Sequence, residues 1–439
     1  MAESASGTAP QRDPRYATRA EAIELLDIKP ATLYTYVSRG LIRRVSSPGR
    51  KQSFYLREDI DRIRSRSTAR ETNAVLAAGA IRYGEPIVST SITEITPAGP
   101  RYRSRNAVDL ARSGVGFEAV AGLLWTGMLI DHHRAWPLQR PASQFLKLAG
   151  EPVRLANRVS IHDAFSFVTC AAAIAMGPPQ VRTAQTVSSP QAAQQLMLLL
   201  SGCFGYLPRS PAYRAPKPDE TLAQAIAASL RVKSSPKAIG AINAALVLCA
   251  DHELNPATFV ARITASSESD LHACVASAIG AHSGARIARS CDFLDQFFRG
   301  PVTLASLVPR SGGDGIAAMD IATLGFNHPL YARGDPRADH LLEVIRALNS
   351  RSAALRNILD CLDAAQQKHK QHPRLETALA VLAIALEMPV GAASGLITLA
   401  RIAGWVAHIA EQRLSGFLIR PRAKFVQAAA PAPGFADRS

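Results

Sequence analysis

Aromatic side chains are scarce in this chain of 439 residues, at 6% against 47% hydrophobic residues, so small aliphatic residues carry the core and helix is favoured over sheet. Paired cysteines are missing as well. The six, at 170, 203, 249, 274, 291 and 361, show no C-x-x-C spacing, which speaks against a zinc site or a disulfide framework and for buried free thiols in a reducing compartment. No apolar run reaches the roughly eighteen residues of a membrane span. The longest, AIGAINAALVLCA at 238–250, stops at Asp251. MAESASGTAPQRDPR at the N-terminus has none of the apolar stretch of a secretory signal, so a cytoplasmic protein without a membrane partner is expected. SGGDG at 311–315 lacks the preceding strand and the following Gly-Lys-Ser of a phosphate loop.

Positive charge, by contrast, is in excess, with a formal net charge of +15. Residues 15–70 hold 13 Lys and Arg against 6 Asp and Glu, a disproportionate share for so short a stretch. In TRAEAIELLDI, 18–28, Thr18 with Glu21 makes a capping box ahead of a short helix. Pro30 then opens ATLYTYVSRG, which Gly40 closes. SSPGRKQSFYLREDIDRIRSR, 46–66, adds a Pro-Gly turn, a strand and a third helix. The run TLYTYVSRGLI followed by SFYLREDIDRI resembles the winged helix-turn-helix of MerR-type and excisionase-like DNA-binding domains. That resemblance implies a recognition helix over 31–38 turning Thr32, Tyr34, Thr35 and Ser38 outward, with Arg43, Arg44, Arg50 and Lys51 meeting phosphates. Tyr34 stands where that pattern often has arginine. The alternative is that the module packs on, or dimerises, the larger domain.

A connector is expected at 67–80, with disordered tails at 1–14 and 426–439. PIVSTSITEITPAGPRYRSRN, 86–106, alternates polar and β-branched residues around Pro97-Ala98-Gly99 and predicts a hairpin. Nearly everything beyond reads as helix, at 117–130, 187–202, 219–231, 237–251, 268–282, 290–299, 339–349, 354–370, 376–388 and 394–414.

Within the last of these, Arg401 lies among Leu396, Ile397, Leu399, Ala400, Ile402, Ala403 and Val406, so it should be buried. A buried guanidinium needs an acid, yet no carboxylate sits three or four positions away; a bound carboxylate is the natural counter-ion. GFNHPLYARGDPRA at 325–338, LARIAGWVAHIAEQ at 399–412 and LIRPR at 418–422, with CADHELNPATFVAR at 249–262, resemble in order and spacing the oxaloacetate-binding signature of the citrate synthase family. The likeness covers about 74–425 and implies the fold of that family, mainly α, with a large domain at 81–231 and 341–425, a small domain at 232–340, and the winged helix-turn-helix domain of 15–66 ahead of them. It further implies that His252, His328, Arg337, Arg401 and Arg420 bind a 2-oxo dicarboxylate such as oxaloacetate. An acyl-CoA would be the second substrate, for citrate or 2-methylcitrate formation in tricarboxylic acid metabolism. His328 would polarise the ketone, Glu376 would act as the base, and no cofactor would be resident. Because the family supplies the arginine matching Arg420 from the other subunit, a homodimer is implied.

Two positions depart from the family. Ile287 stands where a histidine stabilises the enol, and isoleucine donates no hydrogen bond. Glu376 replaces an aspartate, moving the carboxylate by about 1 Å, an offset that can cost on the order of a hundredfold in rate. LGFNH at 324–328 also alters the loop that shapes the family's coenzyme A site. Condensation is therefore expected to be impaired or lost, with His282 and Arg286 the nearest donors for a rescue. Three readings stand open: an acyltransferase, a non-catalytic dicarboxylate sensor that binds DNA, and a partner subunit of an intact paralogue. Blander roles compete at single residues: Glu376 as a first-turn carboxylate, Arg337 and Arg420 as surface arginines, His408 as a core histidine bonded to a backbone carbonyl. On the DNA-contacting alternative, affinity for duplex falls by orders of magnitude between about 50 and 200 mM salt, since counterions are released. A flat salt titration returns the module to a packing role.

Overall fold

The computed structural model describes residues 16–26, 28–38, 42–46, 53–61, 63, 88–130, 135–139, 141, 143–155, 159–175, 190–284, 287–308, 325–348 and 351–420. The expected connector at 67–80, the tails, the 311–315 segment, Arg50, Lys51 and Arg286 lie outside them.

The N-terminal part comprises β1 (Tyr16–Thr18), α1 (Arg19–Leu26), α2 (Pro30–Ser38), β2 (Arg44–Ser46) and β3 (Ser53–Leu56). The capping box forms: Thr18 N–H donates to Glu21 Oε2 at 2.7 Å, and Glu21 N–H to Thr18 Oγ1 at 3.3 Å. β3 pairs antiparallel with both β1 and β2, setting Tyr16 opposite Leu56 and Arg44 opposite Tyr55. Ala17, Ala22, Leu33, Ile42, Tyr55 and Ile60 close a small core of their own. β1 was not legible in the sequence, because its three residues overlap the helix cap.

In the main body the hairpin forms as expected. β4 (Thr93–Thr96) and β5 (Gly99–Tyr102) turn at Pro97-Ala98, and β6 (Arg105–Asn106) extends the sheet. Helices follow: α3 (Ala107–Arg112), α4 (Phe117–Thr126), α5 (Ser143–Leu155), α6 (Ile161–Ala175), α7 (Pro190–Ser201), α8 (Leu222–Ser229), α9 (Pro236–Cys249), α10 (Pro256–Ser266), α11 (Leu271–His282) and α12 (Ala288–Phe298). The chain ends in α13 (Pro336–Ala347), α14 (Ala353–His369), α15 (Leu375–Ala385) and α16 (Ala392–Ser415). Sequence reading missed α3, α5, α6 and α10. α5 carries Pro152 in its interior, which sequence rules read as a break. α10 takes Pro256 at its first turn, where a missing N–H costs nothing, and Asn255 caps it through two backbone N–H groups.

α16 sets the architecture. By length and composition it is apolar enough to cross a membrane, contrary to the sequence reading of no such run, but its apolar stretch is wholly buried and it is the core helix of this body. It packs against α4, α9, α10, α11 and α12. Among the described residues all six cysteines are free, and Cys170, expected inside, is exposed.

The closest approach on α16 is at Gly404, whose N–H donates to Ala250 O at 3.0 Å. A Cβ there would stand 2.6 Å from the Cγ of buried Asp251. Gly404→Ala is expected to cost about 1–3 kcal/mol of overpacking strain. Gly240→Ala, whose Cβ meets nothing within 4 Å in α9, is expected to be neutral or to stabilise. Urea unfolding midpoints of the two variants test the contrast.

Candidate functional site: a polar cleft around Arg401

Three segments converge on the middle of α16. The first is the end of α9, which delivers Asp251 and His252. The second is 325–335, clamped to the head of α15: Asn327 N–H donates to His372 O at 2.8 Å, Arg374 N–H to Gly325 O at 2.9 Å, and Phe326 bridges Pro373. Gly325 is required there, since a Cβ would lie 2.6 Å from Thr377 Oγ1 and 2.7 Å from a methyl of Leu294. The third is the end of α11 with the start of α12.

This convergence brings His252, His328, Arg337, Glu376 and Arg401 to one region, together with Tyr331 of the GFNHPLY motif, for which no local sequence signal marks a role. The His252 and His328 rings are 5.3 Å apart, edge to face. His252 Nε2 is 2.9 Å from the Tyr331 hydroxyl, and the Arg337 guanidinium lies 5.3 Å over the Tyr331 ring. Burial, then the cations Arg337 and Arg401 and the neighbouring imidazole of His328, hold His252 well below the ordinary histidine range. Burial and Arg337 likewise lower His328, to about 4. Tyr331 is pushed up to about 12, chiefly by burial, so its phenol keeps its proton. His328 Nδ1 accepts from Leu330 N–H at 3.2 Å, which leaves the ring proton on Nε2.

The guanidiniums differ sharply. Arg337 is already matched, donating through Nε (2.9 Å) and Nη2 (2.8 Å) to the two oxygens of Asp335. Those oxygens also accept from Arg337 N–H and Leu375 N–H, capping α13 and tying it to α15. Burial alone would raise Asp335, but Arg337 overrides it and holds the carboxyl low. Arg337, which the sequence assigns to a ligand, already has one counter-ion two residues away, at the N-cap of its own helix. Arg401 is the opposite case, 4% exposed, with Nε and Nη1 lacking any hydrogen-bond partner. Arg420 is not in the cleft. It is exposed beyond the end of α16, and the 14 residues from Arg401 to Ser415 alone span about 21 Å at about 1.5 Å each. Glu376 heads α15 with Oε2 buried and unpartnered, and Ile287, half-buried ahead of α12, presents no donor.

Behind the cleft, His408 does not bond a backbone carbonyl as expected from sequence. Its Nδ1 lies 3.1 Å from Arg262 Nη1 and its Nε2 3.4 Å from Asp251 Oδ2. Arg262 also donates to Glu411 at 2.6 Å and to Gln412 at 3.0 Å. Glu411 accepts from Ser91 N–H and Oγ, both at 2.9 Å. Ser91 Oγ in turn meets Glu58 and Arg103, and Arg103 reaches Glu58 at 3.3 Å. Glu58 belongs to the N-terminal part.

There the predicted phosphate contacts separate. Arg43 turns inward: Nε and Nη2 donate to Asp59 at 2.8 and 2.6 Å, and Nη1 to the Trp125 carbonyl at 2.9 Å. Its donors hold the N-terminal part to α4 and are not available to phosphate. Arg44 and Tyr34 are exposed, with Arg19 5.1 Å over the Tyr34 ring. Thr32 is half-buried, and the hydroxyl of exposed Thr35 bonds Ala31 O at 3.0 Å.

The model of the citrate synthase C-terminal domain matches residues 83–422. Citrate synthase 2 of Bacillus subtilis is 31% identical over 202 residues, 44% of this chain and 52% of that protein. 2-Methylcitrate synthase 2 of Corynebacterium glutamicum is 30% identical over 236 residues, 52% of this chain and 54% of that one. The chain thus spans about half the length of these curated relatives. Among solved structures, a citrate synthase of Thermoplasma acidophilum in ternary complex with carboxymethyl coenzyme A and oxaloacetate superposes with a TM-score of 0.65 at 19% identity, covering 79% of this chain and 95% of that one. The citrate synthase of Pyrobaculum aerophilum gives a TM-score of 0.62 at 22% identity, over 78% and 90% of the respective chains. At such identities the likeness is one of fold.

The lowered histidines predict that stability falls with acid. A base whose folded pKa is depressed binds fewer protons than the unfolded chain between the two values, so its contribution to stability is present above about pH 6.5 and lost as pH falls through the window toward the folded value. With His328 and His162 both at about 4, melting temperature is expected to fall steadily from pH 7 to 4.5. His328→Gln should flatten that slope, as read by thermal unfolding across the pH series.

Proposed function

Because the chain belongs to the citrate synthase family, we propose that its cleft binds a 2-oxo dicarboxylate of the oxaloacetate class, and that condensation with an acyl-CoA is strongly slowed. Arg401 carries the reading: a buried guanidinium with two unpartnered nitrogens, beside two imidazoles held neutral. Leaving such a charge unmatched is costly, and a ligand carboxylate is the missing partner. Charge-assisted, bidentate contact to Arg401 would hold one carboxylate. His328, with its proton on Nε2, would donate to the ketone oxygen, while His252 and Tyr331 would line the same wall.

Condensation to citrate or 2-methylcitrate needs more. Glu376, with Oε2 free, would take a proton from the carbon α to the thioester of an acyl-CoA, which enters as substrate with no resident cofactor. The enolate oxygen that results finds an aliphatic side chain at Ile287. Loss of one preorganised donor is worth roughly 2.7–4 kcal/mol, a factor of about a hundred to a thousand in rate. Arg420, too distant within one chain, would enter the cleft only from a second copy, so a homodimer belongs to the proposal.

A second reading, a ligand-responsive DNA-binding regulator, has one observation in its favour. The chain of polar contacts from Asp251, next to His252, runs through His408, Arg262, Glu411 and Ser91 to Glu58, one residue from the Asp59 that holds Arg43. Ligand in the cleft and the placement of the N-terminal part would then be coupled. Arg44 and the exposed side of α2 would face the duplex in a cytoplasmic protein.

Oxaloacetate is expected to raise the melting temperature, and Arg401→Leu to abolish that rise. Free-thiol release from acetyl-CoA or propionyl-CoA with oxaloacetate should be slow or undetectable. Rapid turnover would overturn the slowed-condensation claim and the regulator reading together, and an absent thermal shift would overturn ligand binding.

A further inference from the structure

Within the buried side chains of α16 that carry polar atoms, a run of four, Thr398, Arg401, Trp405 and His408, is spaced by three, four and three residues and so stacked along one side of the helix. Its two ends are satisfied. Thr398 Oγ1 lies 3.1 Å from His162 Nε2, and His408 holds Arg262 and Asp251. Its middle is not. Arg401 Nε and Nη1 and Trp405 Nε1 all lack partners, although Trp405 is 0% exposed. Facing them from the last turn of α11 is His282, 1% exposed, with both ring nitrogens unpartnered and its ring 5.5 Å from the Trp405 ring, edge to face. Folded proteins rarely leave such groups unmet, and here the unmet groups of two helices gather at one level of one stripe, beside the cleft.

We propose that His282 and Trp405 are ligand-binding residues that complete the Arg401 clamp, so that one carboxylate of the guest is held by the guanidinium, the indole N–H and the imidazole N–H together. This deepens the dicarboxylate reading and rests on it. The donor set suits a carboxylate: its two oxygens accept about four hydrogen bonds, and the three N–H groups of Arg401 Nε and Nη1, the indole N–H and one imidazole N–H are enough to fill them. Burial and the neighbouring Arg401 and His162 keep His282 neutral, so it supplies one donor without adding charge. Asp251 is close enough for the charge of Arg401 to lower its carboxyl, yet its Oδ1 is unpartnered and its Oδ2 takes His408 and Glu253 N–H, so it leaves these donors without a hydrogen bond. The contacts favour a planar, doubly acceptor group over a single hydroxyl.

The test separates binding from packing. Oxaloacetate titrations by calorimetry are run on the full chain, on His282→Leu, on Trp405→Phe and on Arg401→Leu, each with its ligand-free melting temperature. His282→Leu and Trp405→Phe are each expected to weaken oxaloacetate at least about tenfold. Ligand-free melting temperature should stay level or rise, because each change removes a buried group that has no partner in the empty protein. Unchanged affinity in both, with binding abolished by Arg401→Leu, overturns this inference and leaves the dicarboxylate reading standing. So does weakened binding that merely tracks a lowered melting temperature, which is a packing role. If the unaltered protein does not bind oxaloacetate, both fall.

Discussion

A guanidinium inside a helix that is covered on every side is the constraint around which this molecule is arranged. A cation taken out of water must be met by acids, lone pairs or a guest. Arg262 and Arg337 show the first solution, each with a carboxylate within 2.8 Å. Arg401 shows that the sequence withholds the same solution at the level of α16 where three segments converge. The glycine at 404 belongs to the same arrangement, since only a missing side chain lets Asp251 lie against the helix and reach His408.

How much of this was legible in the sequence depended on how far along the chain the deciding partner lies. Arg401 was legible, because the absence of an acid at helical spacing can be checked locally. Arg337 was half legible. Its motif placed it in the cleft, but Asp335 was overlooked because residues two apart do not meet on a helix; at an N-cap the chain is extended and the cap carboxylate folds back. Arg43 was misjudged for the opposite reason, since its partners Asp59 and Trp125 are 16 and 82 residues away and only the tertiary fold joins them. Tyr331 stood inside a quoted motif, yet nothing local says that its hydroxyl meets His252.

The fold was legible where hydrophobic periodicity is strong and caps are regular, as along α9, α14 and α16. It was not where local signals conflict, as in α5 with its internal proline. His282 shows a further limit. The sequence marks it as a nearby donor beside Ile287, but only the facing stripe of α16 reveals that both its nitrogens are unmet and that Trp405 stands beside it.

The pairing of Arg337 with Asp335 also fixes the electrical balance of the cleft. That pair is neutral as a unit, so a doubly charged guest would meet Arg401, whose Nε and Nη1 no carboxylate bonds although Asp251 is close enough to feel its charge, between two imidazoles held in their uncharged form. Occupancy by a dianion then favours drawing a hydrogen ion from solution onto His252 or His328. The heat of association with the proposed dicarboxylate would then vary with the ionisation enthalpy of the buffer.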